Sequence, residues 1–230
     1  MCGRFEQSSP APAIQEAFGV ATALLRITPG YNIAPSREVS VIISSSGGRE
    51  VIACRWGFVP SWYKGPASGC GIINARSDSV ATKPAFRASF RSNRCLVPAD
   101  GFYEWRHEGK KKVPYYIHLK SGGPFGFAGL FSRRTTDAGE DIYTCAIITT
   151  EANALVSRIH HRMPAILTGE DMDLWLSPGL QDPDALMQLL KPYPAGAMDM
   201  HEVSTLVNFP GHDSPEIKEP VAASELPGPF

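Results

Sequence analysis

The sequence lacks the segments that would direct a chain into or across a membrane. No apolar run approaches the roughly 18 residues of a membrane-spanning helix, and no basic stretch followed by an apolar one begins the chain. The phosphate-loop patterns Gly-x-Gly-x-x-Gly and Gly-x-x-x-x-Gly-Lys are also missing, as are internal repeats. We therefore expect a cytoplasmic protein with no membrane partner.

Cysteines are few and show no pairing pattern. The chain contains five, an odd number, and none of them stands in a Cys-x-x-Cys pair. This spacing argues against both a disulfide framework and a zinc site, so reduced thiols and no metal are expected. Cys54, Cys95 and Cys145 lie in apolar, strand-like segments and are predicted to be small core residues.

The composition favours a β-rich globular protein. Hydrophobic residues make up 43% of the 230 positions, and 20 prolines and 21 glycines separate short apolar runs such as 39–43 and 145–148. This pattern predicts an α+β fold in which antiparallel strands form a barrel- or sandwich-like core with short peripheral helices. No boundary divides the chain, so 1–230 is expected to be a single domain whose acidic, Pro-rich portion, about 192–230, packs on the body or trails from it.

Local patterns predict the order of elements. A short helix capped by Ser8 or Ser9 ends near Gly19, and a hairpin follows at about 38–44 and 49–56. Further strands are predicted at about 113–119, 125–132 and 141–149, helices at about 83–92, 151–158 and 170–190, and a last strand within 203–208.

Charge is distributed unevenly, although the formal net charge is only −1. Residues 1–162 contain 14 Arg and 6 Lys against 12 acidic residues, a formal +8, whereas residues 163–230 contain 2 Lys against 11 acidic residues, a formal −9. The positive body suggests a polyanionic partner, and the excess of Arg over Lys favours bidentate phosphate recognition. A merely solvated surface of uneven sign is the alternative.

Cys2 is the candidate nucleophile. Removal of Met1 would leave Cys2 with a free α-amino group beside its thiol. Such an amine condenses with an aldehyde, and the thiol can then close onto the imine carbon to give a five-membered thiazolidine. In unstructured peptides the amine has a pKa of about 8 and the thiol a pKa of about 8.5, so each needs only modest help at neutral pH. The alternative is a cysteine that follows the start codon by chance in a mobile terminus.

Three polar residues are candidates for acid–base or positioning roles. Asn74 follows an apolar pair as at the end of a strand, although it also suits a turn. Glu104 stands among aromatic residues, where desolvation raises a carboxyl pKa towards the general-acid range; taken alone, the pattern favours a surface glutamate. His160 titrates near neutrality, but it and His161 also suit two exposed loop histidines, and adjacent histidines make a poor metal site.

Two segments carry residues suited to nucleic acid. The stretch 56–63, which includes Trp62, is rich in aromatic residues broken by Gly and Pro, and suits an exposed platform as well as a core strand. In the predicted helix 83–92, Phe86 and Phe90 lie four residues apart and are predicted to face the core. Its arginines, Arg87 among them, would then be available to lie along a nucleic-acid backbone.

Six motifs together resemble the SOS-response-associated-peptidase (SRAP) family. They are Met-Cys-Gly-Arg-Phe at 1–5, Tyr-Asn-Ile-Ala-Pro at 31–35, Ile-Asn-Ala-Arg at 73–76, Lys-Pro-Ala-Phe-Arg at 83–87, Gly-Phe-Tyr-Glu-Trp at 101–105 and Ile-His-His-Arg-Met-Pro at 159–164. They occur in family order, with a weaker echo at 203–208. Asp78-Ser79 departs from the Glu-Thr of the family pattern, and Phe209 stands where a second Asn is common.

The resemblance implies a DNA-damage response protein that senses abasic sites in single-stranded DNA. Members of the family attach covalently to such sites through the N-terminal cysteine and are also described as autoproteolytic peptidases. For this chain, the resemblance implies a thiazolidine crosslink, self-processing and lyase-like activity, no cofactor, no metal, a monomer, and association with the nucleoid when the protein acts on DNA.

The resemblance also implies roles for individual residues. Cys2 is the nucleophile, and Asn74 orients the amine or the sugar. Glu104 helps to open the deoxyribose ring and moves protons, and His160 assists ring opening and imine chemistry. Arg4 and Arg76 are the implied phosphate ligands, and Trp62 and Trp105 are the implied base-stacking residues. Arg87 and Arg162 are also expected to bind DNA.

Two other functions stay open at this point. One is an N-terminal-nucleophile glutamine amidotransferase, because such enzymes also begin Met-Cys-Gly and use the free amine as a base. The other is a non-catalytic single-stranded nucleic-acid-binding module, which predicts salt-sensitive and fully reversible binding.

Overall fold

Strands dominate the fold, as the short apolar runs predict. The computed structural model describes residues 2–21, 29–63, 65, 71–135 and 139–221, so Cys70, predicted to be a reduced thiol, lies outside the described residues. The strands are β1 Arg4–Gln7, β2 Gly30–Ile33, β3 Glu38–Ser45, β4 Gly48–Trp56, β5 Asn74–Arg76, β6 Arg94–Ala99, β7 Gly101–Glu108, β8 Lys111–Leu119, β9 Phe125–Thr135, β10 Asp141–Glu151, β11 Arg162–Pro164, β12 Ile166–Leu167 and β13 Met198–Glu202. The α-helices are α1 Ala11–Phe18, α2 Ser77–Val80, α3 Arg87–Ser92, α4 Glu170–Leu176 and α5 Pro183–Gln188, and 3-10 helices cover Val156–Arg158, Ala195–Ala197, Thr205–Asn208 and Pro215–Lys218.

The strands form two sheets, one of which closes on itself. In the larger sheet β3 pairs with β4, β4 with β10, β10 with β9, β9 with β6, and β6 with β3, which makes a five-stranded ring. β5 and β11 add to β10, and β12 adds to β9. The smaller sheet has the order β13-β8-β7-β1-β2. The prediction of a β-rich α+β fold with a barrel-like core and short helices is therefore confirmed.

Alternating side chains of the ring serve two separate cores. Val97 of β6 packs in a cluster that also contains Phe5 and Phe102 of the smaller sheet. Its neighbour Leu96 faces the other way, into a cluster that contains residues of the helices, Trp175 among them. This is the two-residue period of a strand that is buried on both faces.

The predicted cysteine environment and the predicted first elements are largely confirmed. Cys54, Cys95 and Cys145 are buried and reduced, the hairpin is β3–β4, and α1 ends at Gly19, whose φ of 62° favours glycine. The serine cap is wrong, because Ser8 and Ser9 are bonded elsewhere. The Ser8 hydroxyl donates to Glu6 and the Ser9 hydroxyl to Asp100, and both N–H groups donate to the Asp100 carboxylate at 2.6 and 2.9 Å.

Several predicted helix and strand bounds are wrong. The helix predicted at 83–92 is only Arg87–Ser92, and 170–190 divides into α4 and α5 around Pro178-Gly179. The helix at 151–158 shortens to a single 3-10 turn. The strand at 203–208 is also wrong: β13 precedes it, and the Ser204 hydroxyl accepts from the Leu206 N–H at 3.3 Å and turns the chain into a 3-10 helix.

The segment 198–218, called the C-terminal strap here, lies against the N-terminal strand. β13 pairs with β8 along its whole length. At one end of β1, Arg4 donates to the carbonyl oxygen of Val207 at 2.7 Å, and at the other end Lys218 pairs with Glu6 at 2.7 Å. The strap thereby fixes the strand that directly follows Cys2. Helices long and apolar enough to cross a membrane do not occur in the described ranges.

Candidate active site

Cys2 lies at the beginning of β1, beside β7. The antiparallel register pairs Arg4 with Tyr103 and Phe5 with Phe102, and extending it by one residue puts Gly3 opposite Glu104. The Cys2 side chain is completely buried. Burial raises the pKa of its thiol far above the usual value, and the negative charge of Glu104 raises it further, so the thiol is protonated at neutral pH.

Asn74 holds the main chain of Cys2. It is the first residue of β5, which runs parallel to β10 with Asn74 opposite Ile147. Its Nδ2 donates to the Cys2 carbonyl oxygen at 2.9 Å. The other amide atom, Oδ1, is buried and accepts no hydrogen bond from the described part of the chain. An acceptor is therefore available next to the N-terminal residue.

Glu104 is a buried carboxylate, not a surface one. Only 4% of its surface is exposed, so the surface position favoured by its local pattern is wrong. Alternation along β7 is as predicted, with Phe102 in the main core and Tyr103 in a smaller cluster on the other face. The charge of Glu104 acts on two neighbours, because it raises the pKa of Cys2 and opposes the fall in the pKa of His160.

His160 approaches from a turn between β10 and β11. The side-chain oxygen of Asn153 accepts from the N–H groups of Leu155 and Val156 at 3.0 and 2.9 Å and fixes that turn. His160 Nδ1 lies 3.0 Å from the main-chain nitrogen of Arg162 and 3.1 Å from its carbonyl oxygen, so it accepts from the first or donates to the second according to the tautomer. Burial lowers the pKa of His160, so the neutral ring is favoured near pH 7.

Glu104 and His160 line one cavity of about 400 Å³, whereas Cys2 and Asn74 are not among its lining residues. The cavity is lined by Glu104, Trp105, His107, Lys112, His160 and Asn208. His107 and Lys112 were not among the residues predicted from the sequence. They stand directly opposite each other across the β7–β8 hairpin, a relation that only the register reveals. Within the described residues, no three His, Cys, Asp or Glu side chains group as metal ligands.

Two of the predicted DNA-contacting residues lie beside this cavity. Trp105 Nε1 donates to Asn208 Oδ1 at 2.6 Å, and the guanidinium of Arg4 lies 6.0 Å from the centre of the Trp105 ring. Arg4 also donates to Asn32 Oδ1 and the Val207 carbonyl oxygen, each at 2.7 Å. Trp105 and Arg4 thus join β7 and β1 to the C-terminal strap.

The other predicted DNA-contacting residues lie in separate places. Arg76 is exposed and donates to Asp78 from Nε and Nη2 at 3.0 and 2.6 Å, which lowers the pKa of Asp78. Arg162 is buried, bonded to the Thr149 carbonyl oxygen and 3.7 Å from Asp78. Trp62 is largely exposed in the connection that follows β4, and Arg87 is exposed at the start of α3.

Comparison with known proteins identifies the family. The sequence profile of the family described as SOS response associated peptidase (SRAP) matches residues 1–210. The abasic site processing protein YoqW of Bacillus subtilis is 44% identical over 222 residues, 95% of this chain and 99% of that protein. The abasic site processing protein HMCES of Gallus gallus is 33% identical over 228 residues, 85% of this chain and 67% of that protein. A crystal structure of a Bacteroides thetaiotaomicron protein superposes with a TM-score of 0.84 at 33% identity and covers 96% of this chain and 100% of that one. The chain belongs to the SRAP family.

Proposed function

We propose that this protein processes abasic sites in single-stranded DNA by forming a covalent thiazolidine through Cys2. The names of the relatives from Bacillus subtilis and Gallus gallus support the substrate. The observation that carries the chemistry is the bond from Asn74 Nδ2 to the Cys2 carbonyl oxygen, beside a buried Glu104. It holds the first reactive residue against an acid–base group.

The first requirement is removal of Met1, because only then does Cys2 have a primary amine. Self-processing by the protein and removal by an aminopeptidase both meet it. Asn74 Oδ1 is a suitable acceptor for one N–H of the new amine, since it is buried and the described residues supply no donor to it. A bond there orients the nitrogen lone pair while Nδ2 keeps the Cys2 carbonyl in place.

The second step opens the sugar. An abasic deoxyribose is mostly a closed hemiacetal, so its anomeric hydroxyl must lose a proton while the ring oxygen gains one, which breaks the ring C–O bond and frees the aldehyde. Glu104 and His160 line the same cavity. The Glu104 carboxylate takes the proton of the anomeric hydroxyl and returns it to the ring oxygen as the C–O bond breaks, while the His160 ring, kept neutral by its lowered pKa, hydrogen-bonds the sugar.

The third step makes the crosslink. The Cys2 amine adds to the aldehyde carbon, and loss of one water gives the imine. The Cys2 sulfur then bonds to the imine carbon, and the thiol proton passes to the nitrogen, so the thiazolidine forms with one water lost overall. Because burial and Glu104 raise the pKa of the thiol, this proton needs an acceptor beside the sulfur, and Glu104 is suited to relay it.

Binding of the strand is proposed to use charge and stacking. Lys112 lines the cavity and Arg76 is exposed, which suits phosphates, while Trp62 and Trp105 suit exposed bases. Stacking of a base on an aromatic ring contributes about 1 to 3 kcal/mol and is tolerant of sequence. Single strands offer such unstacked bases.

A denaturing gel tests the proposal. Purified protein is incubated with single-stranded DNA that contains one abasic site, with and without borohydride. The wild type should give a shifted band in both lanes. Cys2→Ser keeps the amine and loses the sulfur, so its band should need borohydride, which reduces the open imine; Cys145→Ser is the control for a buried thiol elsewhere. No band with the wild type, or an unchanged band with Cys2→Ser without reductant, contradicts the proposal.

The same preparation separates the other functions. Reversible, salt-sensitive binding without any denaturation-resistant band indicates a binding module. Release of ammonia from glutamine, abolished by Cys2→Ser, indicates an amidotransferase. The wild-type chain used in the gel should also be shorter than the encoded chain by one methionine, as measured by intact mass.

A further inference from the structure

Phe209 is a large apolar side chain that the fold leaves in solvent. It is 65% exposed, more than any other large hydrophobic residue in the described part of the chain. It directly follows Asn208, which lines the cavity and accepts from Trp105. An exposed phenylalanine contributes little to folding, because its apolar surface stays in water.

The main chain of Phe209 is fixed by two hydrogen bonds, and its ring contacts two residues of the strap. The Phe209 N–H donates to the Leu206 carbonyl oxygen at 3.1 Å, and its own carbonyl oxygen accepts from Asn32 Nδ2 at 3.2 Å. The ring packs edge-on against His212, with centroids 5.6 Å apart. It also lies over Gly211, where an added Cβ would stand only 2.6 Å from Phe209 Cε1. The absence of a side chain at Gly211 leaves room for the ring, and the imidazole of His212 packs against it.

An exposed ring beside the cavity proposed for a base-free sugar suits a neighbouring base. Phe209 directly follows Asn208, which lines the cavity proposed to take the base-free sugar. A base next to the missing one therefore comes within reach of Phe209 when the sugar occupies the cavity beside Asn208. Loss of the abasic base removes a stacking partner from that neighbour, and the ring can replace it.

We propose that Phe209 is the stacking platform for the nucleobase that flanks the abasic site, on the strap side of the cavity. This inference rests on the proposed function for the identity of the strand. It assigns Phe209 to binding and to the choice of flanking nucleotide, and gives it no part in bond formation.

The test measures equilibrium binding without crosslinking. The probe is a fluorescent single strand with one tetrahydrofuran abasic analogue, which has no aldehyde, flanked by adenines. Two matched probes replace the 5′ or the 3′ adenine by a second tetrahydrofuran. The wild type should bind one of these about 5- to 150-fold more weakly than the parent probe, the range that stacking on one ring implies.

Variants then assign that loss to the ring. Phe209→Ala should bind the parent probe as weakly as the wild type binds the affected probe, and Phe209→Trp should restore the difference. Leu206→Ala, in the same 3-10 helix and 44% exposed, should leave it unchanged. Gly211→Ala should reduce it, because the new Cβ displaces the ring.

Two results overturn the inference. One is equal binding of all three probes by the wild type; the other is a Phe209→Ala variant that keeps the full difference, as expected if the ring instead docks a protein or a second copy of this chain. Crosslinking of a natural abasic site at saturating DNA is measured in parallel. Phe209→Ala should reach the wild-type yield, so a failed crosslink in the wild type counts against the proposed function and not against the ring.

Discussion

Arg4→Ala should lower the free energy of unfolding, because Arg4 joins the C-terminal strap to the N-terminal strand. Its Nη1 donates to Asn32 Oδ1 and to the Val207 carbonyl oxygen at 2.7 Å, and its Nη2 reaches the Asn208 carbonyl oxygen at 3.3 Å. Asn32 is completely buried. Arg4→Ala therefore leaves a buried oxygen without its charged donor.

The expected loss can be bounded from these contacts. A hydrogen bond that involves a charged group contributes about 1.5 to 3 kcal/mol to stability. Arg4 is only half-buried, so water replaces part of each bond, and the long third bond adds little. We expect the free energy of unfolding to fall by about 3 kcal/mol, which lowers Tm by about 6 to 12 °C in a chain of this size.

Urea unfolding of Arg4→Ala beside Arg76→Ala measures the effect. Arg76 has 55% of its side chain exposed and pairs with Asp78 at the surface, and such pairs contribute about 0 to 1 kcal/mol. Both arginines are predicted phosphate ligands. The comparison therefore shows whether Arg4 also stabilises the fold, whereas Arg76 is expected to contribute little to the free energy of unfolding. If the free energy of unfolding of Arg4→Ala is within about 0.5 kcal/mol of the wild-type value, Arg4 does not fasten the strap to the N-terminal strand.

Three further variants test other contacts of the site and the strap. Glu104→Gln removes the charge that opposes the lowering of the His160 pKa, so the imidazole should titrate at still lower pH in an NMR titration; a rise contradicts the assigned contact. Lys112→Ala should weaken single-strand binding and reduce the slope of log affinity against log salt by about 1; an unchanged slope removes Lys112 from the phosphate contacts. Lys218→Met leaves the fully buried Glu6 without its cation and should lower the free energy of unfolding by about 3 kcal/mol. Adding Glu6→Gln to that variant should restore much of the lost stability. Equal stability of the wild type, the single variant and the double variant contradicts a buried ion pair.

Local sequence patterns correctly predicted the elements that depend only on residues close together in the chain. The hairpin β3–β4 and the alternation along β7 depend on neighbouring residues, and both are as expected. The strand predicted within 203–208 is replaced by a 3-10 helix, because the Ser204 hydroxyl accepts a hydrogen bond from the Leu206 N–H. The residues of this segment fit a strand pattern and a turn pattern equally well.

Contacts distant in sequence explain what could not be predicted. The five-stranded ring requires the parallel pairing of β4 with β10, which no local pattern encodes. The contacts of Arg4 with Val207 and Asn208 could not be predicted, because those two residues lie at the far end of the chain. Glu104 favoured a surface position for the same reason, since what buries it comes from other strands and turns.

Sequence motifs predicted the residues of the candidate site, and the structure shows how these residues contact one another. Asn74 bonds to Cys2, and the charge of Glu104 reaches both Cys2 and His160. The roles of these residues remain proposals. His107 and Lys112 were missed because they belong to the cavity only through the register of β7 with β8.

Intact mass spectrometry of the DNA adduct tests the proposed crosslink most directly. We predict a product whose mass equals the chain without Met1, plus the abasic oligonucleotide, minus one water, with the modification on Cys2 after proteolysis. An adduct that retains Met1, or one joined through any other residue, would contradict the thiazolidine at Cys2.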